Sequence, residues 1–488
     1  MTNKVINWFT HSTGDPFADV GGLVIEYLQE KEPNKSIMDL IEKVTNIYVN
    51  NWGNNLHSFF LNSTITHNSN KGQKGLDETI VYYKGLLEGE ESLMNYCTDN
   101  GINLKLDFLK KIEATNGYCR ITGQKGKVFT AGRDNHIMSG SGTLINFHHN
   151  FGCGIMLSKE ALIRMLFVPL GVEQLGDKVA VVLSNNQEVT RYLVRKNVDD
   201  NVRDIASRIS KSILKSDFSN PTNALFDYAN QCVEKVRSAT IDEESGRSNT
   251  NGVTLNLYHF TNFGAKPTID LYTLPATVFL FYAECLRDTH KRDWQNFVFR
   301  YYSSSKFKNA EYDEKTKSWR NTKEIVDFQD FRVWRNRVFD YLLDDKSLIP
   351  LFLQHSKCHT FNFKIVELYQ IKIRNMDKRA LDKIKKLADF IVNNRSDDDI
   401  KKAMTRLIKA KTNSELRNFL IRLLGQNYKE GNPDPLFSLD EYVEYLFPDG
   451  SYWKEVQDLL LIAIYQKLHE TNKQVALMLA EDEQNEDE

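Results

Sequence analysis

The chain has 488 residues, with 63 Lys and Arg against 65 Asp and Glu, a net charge of −2. Its 41% hydrophobic and 11% aromatic content is enough for real cores, which excludes a disordered, collagen-like or coiled-coil chain. The near balance of charge excludes a globally basic nucleic-acid coat, and at ~150 residues per domain the length predicts two to four domains.

The opening segment, Met1–Phe17, has no apolar run of signal-peptide length. The most apolar stretch, Ala276–Leu286, is about 11 residues, well short of the ~20 that a bilayer span needs. The expectation is a soluble, cytoplasmic protein with no membrane partner. Six cysteines, none in a CxxC pair, fit free thiols in a reducing compartment.

Residues 1–115 read as mostly helical. Leu23, Tyr27 and Leu28 share a helical spacing, as do Leu40, Ile41, Val44 and Tyr48. Asn62–Gly75 reads as a polar mobile loop. Residues 116–156 hold eight glycines and predict an irregular, loop-built insert. An apolar helix over Ser158–Val168 follows and stops at Pro169. Lys178–Ser184 and Glu188–Arg195 flank Asn185-Asn186-Gln187, which suggests a hairpin. After a helical stretch over 200–238 and a polar loop, Ile241–Gly252, the segments Thr254–Phe260 and Thr268–Leu274 predict a second strand pair.

From Pro275 onward the pattern is helical. Ala380, Leu381, Ile384, Leu387, Ala388 and Ile391 form one stripe, Ala403, Met404 and Leu407 another, and Phe419, Leu420 and Leu423 a third. Gly425 stands where a C-terminal cap glycine belongs, Ser438 and Glu441 have capping-box spacing, and Val456–Leu468 is the last strong helix. The fold class expected is α+β. A mixed body over 1–275, with the glycine-rich insert at 116–156, precedes a helical connection over 276–375 and a helical bundle over 376–480. The tail 481–488 has six acidic residues in eight and is expected to be disordered.

Charge is segregated. Lys364–Lys429 holds 17 Lys and Arg against 8 Asp and Glu. Lys291–Arg337 holds 12 against 7, interleaved with Trp294, Phe297, Phe299, Tyr301, Tyr302, Trp319 and Trp334. The bland reading is a solvated helix face for the lysines and a core for the aromatics. The sharper reading is that the basic face follows a phosphate backbone by counterion release.

Catalytic motifs are missing. The chain has no GxxxxGK[ST] loop, HExxH helix or GxSxG elbow. In an extended run, His148-His149-Asn150 alternates faces and does not make a nuclease centre. Pro448-Asp449 with Glu455-Val456-Gln457 lacks the lysine of a restriction-type core. The expectation is a protein that is not an enzyme. Cys119-Arg120-Ile121-Thr122-Gly123 outlines a zinc knuckle with its second sulfur replaced by threonine, and Asn150–Gly154 another with its first replaced. Cys119 and Cys153 are two ligands where a closed site needs four, so no cofactor is expected and zinc is disfavoured even with His136, His148 or His149 as completing ligands.

Those half-lost cysteine pairs, the Thr13–Gly21 block with its Gly14-Asp15-Pro16-Phe17 core, and Ile269–Pro275 resemble the large subunit of a type I CRISPR Cascade surveillance complex. The branch is I-B-like, with a CXXC…CXXC signature whose pairs are degenerate here. The resemblance implies a non-catalytic subunit of an RNA-guided antiviral complex, which recognises a protospacer-adjacent motif and stabilises unwound DNA in the R-loop. It implies as partners a CRISPR RNA, double-stranded target DNA, Cascade backbone and small subunits, and a helicase-nuclease, with sequence read by guide pairing.

In that setting Lys125, Lys127, Arg133, Asn135 and His136 are candidates for motif recognition, because Arg and Lys pair with guanine edges and Asn with adenine. Lys71 and Lys74 in the neighbouring loop come second. Lys383, Lys386, Lys402, Arg406 and Lys409 are candidates for backbone contacts. Met376, just ahead of the bundle's first helix, is a candidate internal start for a separate small subunit. The competing readings are a stand-alone DNA-binding or DNA-processing protein of a restriction-like defence system, and a scaffold without nucleic acid.

Overall fold

The computed structural model describes residues 12–53, 55, 72–102, 112–132, 135, 155–240, 252–260, 269–304, 310–313, 315–321, 324–326, 331–393, 395–447, 452–473 and 475. The chain divides into two compact units. One comprises Met1–Leu225 with Thr254–Thr273, the other Phe226–Val253 with Leu274–Glu488. The class is mixed, as the sequence predicts, with small antiparallel sheets in the N-terminal half and helices in the C-terminal half.

In the first unit, the Thr13–Asp19 block turns out to seat a helix. Asp15 Oδ1 accepts from the N–H groups of Phe17 (3.0 Å) and Ala18 (2.8 Å), the cap that opens α1 (Pro16–Lys31). Buried Asp19 accepts from the Thr13 N–H (2.8 Å) and hydroxyl (2.7 Å), which fastens the entering chain to the helix. A capping box between Ser36 and Asp39 opens α2 (Ile37–Asn46), which continues as a π-helical turn, Ile47–Trp52. Two further helices follow, α3 (Gln73–Glu88) and α4 (Glu90–Asp99).

The glycine-rich segment contains strands where the sequence suggests only loop. β1 (Thr115–Tyr118), β2 (Lys125–Ala131) and β3 (Ile155–Leu157) form an antiparallel sheet in that order. The alternating polar and small residues of β1 and β2 hid the period, because only Val128, Phe129 and Ala131 of β2 are buried. Next come α5 (Lys159–Phe167), β4 (Glu173–Leu175), β5 (Lys178–Ser184), α6 (Gln187–Ala206), α7 (Pro221–Thr240), β6 (Leu255–Phe260) and β7 (Ile269–Leu274). A Cβ on Gly21 would lie 2.0 Å from the Arg164 carbonyl oxygen, so only glycine lets α1 pack this closely on α5.

The second sheet has the order β4-β5-β6-β7, and the expected pairing of the 254–260 and 268–274 segments is present. The expected hairpin at Asn185-Asn186 is not. Asn186 caps α6, its Oδ1 accepting from the Glu188 N–H at 2.9 Å, and β5 pairs instead with β6 from Val179↔Phe260 to Ser184↔Leu255. Val189, Leu193, Val194 and Val198 have the helical spacing that carries the segment into a helix.

The second unit contains α7 from Phe226 on, then α8 (Ala276–Cys285), α9 (Asp288–Phe299), β8 (Ala310–Asp313), β9 (Ser318–Asn321), β10 (Glu324–Ile325), α10 (Arg337–Leu343), α11 (Ile349–Cys358) and α12 (Phe363–Lys372). After these come α13 (Lys378–Val392), α14 (Asp397–Ile408), α15 (Asn413–Lys429), α16 (Leu439–Glu441), a π turn (Tyr442–Leu446) and α17 (Trp453–Glu470). The small sheet β10-β9-β8 interrupts what the sequence suggests is all helix after Pro275. Trp294 and Phe297 are core, as the bland reading expected.

Gly425 does not end its helix. α15 runs on to Lys429, and Gly431, with φ +77°, takes the left-handed position beyond it. α17 is buried on all sides from Val456 to Tyr465 and packs against α11 and α12 as well as α13, α14 and α15. The bundle therefore includes helices ahead of Met376. Among the described residues no helix is long and apolar enough to cross a membrane.

Histidines lie among the α11 packing. His355 is buried with neither ring nitrogen hydrogen-bonded, between Phe297 (5.4 Å between ring centroids), His359 (5.1 Å) and Phe361 (5.3 Å). Burial, reinforced by His359 and Arg300, holds the His355 imidazole well below its ordinary value. Burial and Arg300 bring His359 down to about 4. Both rings are neutral when folded, whereas the unfolded chain binds protons near its ordinary value of 6.5. Acid therefore favours unfolding, and stability is lost as pH falls from 6.5 towards about 4. The denaturant midpoint should drop between about pH 7 and about pH 5, and His355→Phe should flatten that drop. Equal midpoints at the two pH values would contradict it.

Candidate nucleic-acid interface

The first group of candidate residues belongs to the β1–β2 hairpin. Its turn is a closed knuckle: the Cys119 N–H donates to Gln124 O (2.9 Å), the Gly123 N–H to Cys119 O (2.8 Å), and Gly123 has φ +68°. Burial pushes the Cys119 thiol up. The Thr122 hydroxyl and the N–H groups of Ser158, Thr122 and Ile121 outweigh it and hold the thiol below its ordinary value. Threonine in the second sulfur's place thus still serves the first. Among the described residues no group of three or more His, Cys, Asp or Glu is placed to hold a metal. Cys153, His136, His148 and His149 lie outside the described residues.

Lys125 and Lys127 sit two apart on β2, both exposed, paired in register with Tyr118 and Asn116. They border a cleft of about 590 Å³ that also takes in the α3–α4 junction and the start of α5. Its lysines, Lys125, Lys127 and Lys159, are matched by Glu88, Glu90 and Glu160, so the cleft is neutral. Gly126 between the two lysines has nothing within 4 Å of where a Cβ would stand, which leaves the strand open to close approach.

Asn135 is placed differently. It is buried, its Nδ2 donates to the Tyr82 hydroxyl (2.9 Å) and Thr130 O (2.8 Å), and its Oδ1 accepts from the Gly132 N–H (2.8 Å). Its amide is committed to the fold and does not face outward. Lys74 is exposed on the first turn of α3. Arg133, His136 and Lys71 lie outside the described residues, as do most of the loop over 62–75, the loop over 241–251 and the acidic tail 481–488.

The second group lies on the bundle, and the structure splits it. On α13, Lys383 pairs with Glu441 at 2.6 Å and Lys386 Nζ donates to Pro435 O at 2.9 Å. Their neighbour Lys385 pairs with Glu367 and with Asp382. These cations serve the bundle's own cohesion. On α14, Lys402, Arg406 and Lys409 stand at i, i+4 and i+7, opposite the buried stripe Ile400, Met404 and Leu407. All three are exposed, and their side chains have no ion pair or hydrogen bond among the described residues. Asp397, Asp398 and Asp399 fill the first turn of α14, so its charge order also suits the helix dipole.

Sequence reasoning missed the outer face of α15. Arg417, Arg422 and Lys429 are exposed there with Ile421 (55% exposed) and Tyr428 (83%). The signal was available, because Ile421 and Tyr428 fall off the stripe made by Leu416, Phe419, Leu420 and Leu423.

Compared with protein families, residues 354–488 match the DevT C-terminal domain. The match begins within α11 and covers the whole basic bundle. No curated protein matches the chain.

The hairpin assignments separate by substitution. Asn135→Ala should cost about 1–3 kcal/mol of stability, because it removes the three hydrogen bonds of a buried amide. Lys125→Gln with Lys127→Gln should stay within about 0.5 kcal/mol of the parent. Chemical denaturation of the three proteins checks this, and an Asn135→Ala variant of parental stability would contradict the assigned hydrogen bonds.

Proposed function

We propose that the chain is the non-catalytic large subunit of an RNA-guided CRISPR antiviral surveillance complex, in which it holds opened target DNA and reads a short adjacent motif. One observation carries this reading. The segment that matches the DevT C-terminal domain, a domain compatible with CRISPR-related defence, is the same helical segment that presents unpaired cations on one outward face. The blocks at Thr13–Gly21, Cys119–Cys153 and Ile269–Pro275 support it independently, through their resemblance to type I-B large subunits.

The physical division of labour follows. Lys402, Arg406 and Lys409 neutralise phosphates of a strand without regard to its sequence. Guide RNA pairing decodes the target. Lys125 and Lys127, with Gly126 between them, approach a duplex edge at the adjacent motif, helped by Lys74 and by Arg133, His136 and Lys71. The neutral cleft beside Lys125 suits this role, since net charge adds affinity and little discrimination. A partner helicase-nuclease breaks the bonds. The Cascade backbone, small subunits and CRISPR RNA complete the assembly. A stand-alone restriction-like protein, the competing reading, has no observation of its own in its favour.

The test is the assembled complex, made by co-expression with neighbouring gene products, carrying Lys402→Gln, Arg406→Gln and Lys409→Gln together. Target binding should weaken alike for all matched sequences. The slope of log affinity against log salt should shrink by about 2, at ~0.7 per lost single-strand phosphate contact. An unchanged slope, or DNA cleavage by the isolated chain, would overturn the proposal.

A further inference from the structure

The second unit holds another concentration of cations, away from α14. A cleft of about 720 Å³ opens between the chain after α9 and the start of α10, within the ~300–1,000 Å³ range of ligand sites. Its lining includes Arg335, Arg337 and Lys346 against Asp340 and Asp344, a surplus of one positive charge on a concave surface; Arg300, also in the lining, is paired with Glu311 at 3.0 Å.

Tyr341 organises two of these cations. The Arg337 guanidinium lies 5.1 Å from the centre of the Tyr341 ring, and its Nε (3.1 Å) and Nη2 (2.7 Å) both donate to the Tyr341 hydroxyl. Lys346 Nζ stands 5.8 Å from the same ring centre and 2.7 Å from Asp344. Arg335 pairs with Asp340 through Nε, yet its side chain remains 70% exposed. Two cations at one ring, with Arg335 on the same concave wall, concentrate a positive field where an anionic ligand would enter.

We propose that this cleft binds the sugar–phosphate backbone of single-stranded nucleic acid, as a contact separate from the α14 face. The inference rests on the nucleic-acid reading above and extends it to a second site. Arg335 and Lys346, each with one acidic neighbour and donors to spare, engage phosphate oxygens. Arg337, fixed by Tyr341, supplies a planar fork. Ser303 and Gln354, both exposed at the rim, add neutral donors of the kind that position a backbone without reading bases. An acidic protein segment is the alternative occupant, and the same experiment discriminates against it.

The experiment uses the full chain and a fluorescein-labelled oligothymidine of about 20 nucleotides, read by anisotropy from about 50 to about 200 mM salt. The variant is Arg335→Gln with Lys346→Gln, both surface side chains. The control is Arg203→Gln with Arg287→Gln, also exposed (66% and 58%), which removes the same charge elsewhere. The cleft variant should lose affinity and lower the salt slope by about 1.4, while the control keeps the parental slope. Parental binding with an unaltered slope in the cleft variant overturns this site alone and leaves the α14 face standing. A parent chain without salt-dependent binding overturns the nucleic-acid reading and the cleft with it.

Discussion

α17 constrains everything around it. Leu459, Leu460, Leu461, Ile462, Ala463, Ile464 and Tyr465 are consecutive and all buried, so the middle of this helix has no solvent side and must be wrapped. The helices around it need only one apolar stripe each, and their remaining faces are turned outward. α14 is oriented further by buried Gln457 of α17, whose Nε2 donates to the carbonyls of Leu407 and Ala410 at the end of α14. The end of α14 is thereby tied to the core. Once Leu407 faces α17, Lys402, Arg406 and Lys409 face away. The outward basic face is thus a consequence of how the core is satisfied, and function has only to choose which residues occupy it.

Much of the helical scaffold was legible because its signal is local. The stripes from Ala380 to Ile391 and from Ile400 to Leu407 need only the 3.6 period. The failures share a cause: a residue type that serves two structures. Asn186 fits a hairpin turn and a helix cap equally; the segment after it enters α6, and β6, some seventy residues on, takes the place beside β5. Gly425 fits a cap, but a helix tolerates one glycine when flanking residues continue it, and buried Asn427 anchors the last turn through Asp434 O at 2.9 Å. The strands over 310–325 are too short and too polar to show a period.

The site was legible in sum and not in detail. Local charge excess pointed to the bundle, yet it could not distinguish a cation left exposed from one that binds its own fold. Lys383 finds Glu441 and Lys385 finds Glu367, partners that no local window contains. Asn135 finds Tyr82, 53 residues away. Conversely, the cleft at Tyr341 was invisible as a cluster, because Ser303, Arg335 and Lys346 meet only when the chain after α9 returns beside α10: the Ser303 N–H donates to Arg335 O at 2.9 Å. The aromatic-rich basic stretch from Lys291 to Arg337 therefore divides into a core, around Trp294 and Phe297, and a rim that carries the arginines.

On the proposed function, the outward face of the bundle lies against a polynucleotide in the working assembly. Photo-crosslinking tests it most directly, with the displaced strand substituted by a photoreactive thymidine analogue and the crosslinked peptides of the assembled complex identified by mass spectrometry. Crosslinks within α14 and its neighbouring turn are the expected result. Crosslinks confined to other subunits, with α14 joined only to acidic protein segments, would contradict it.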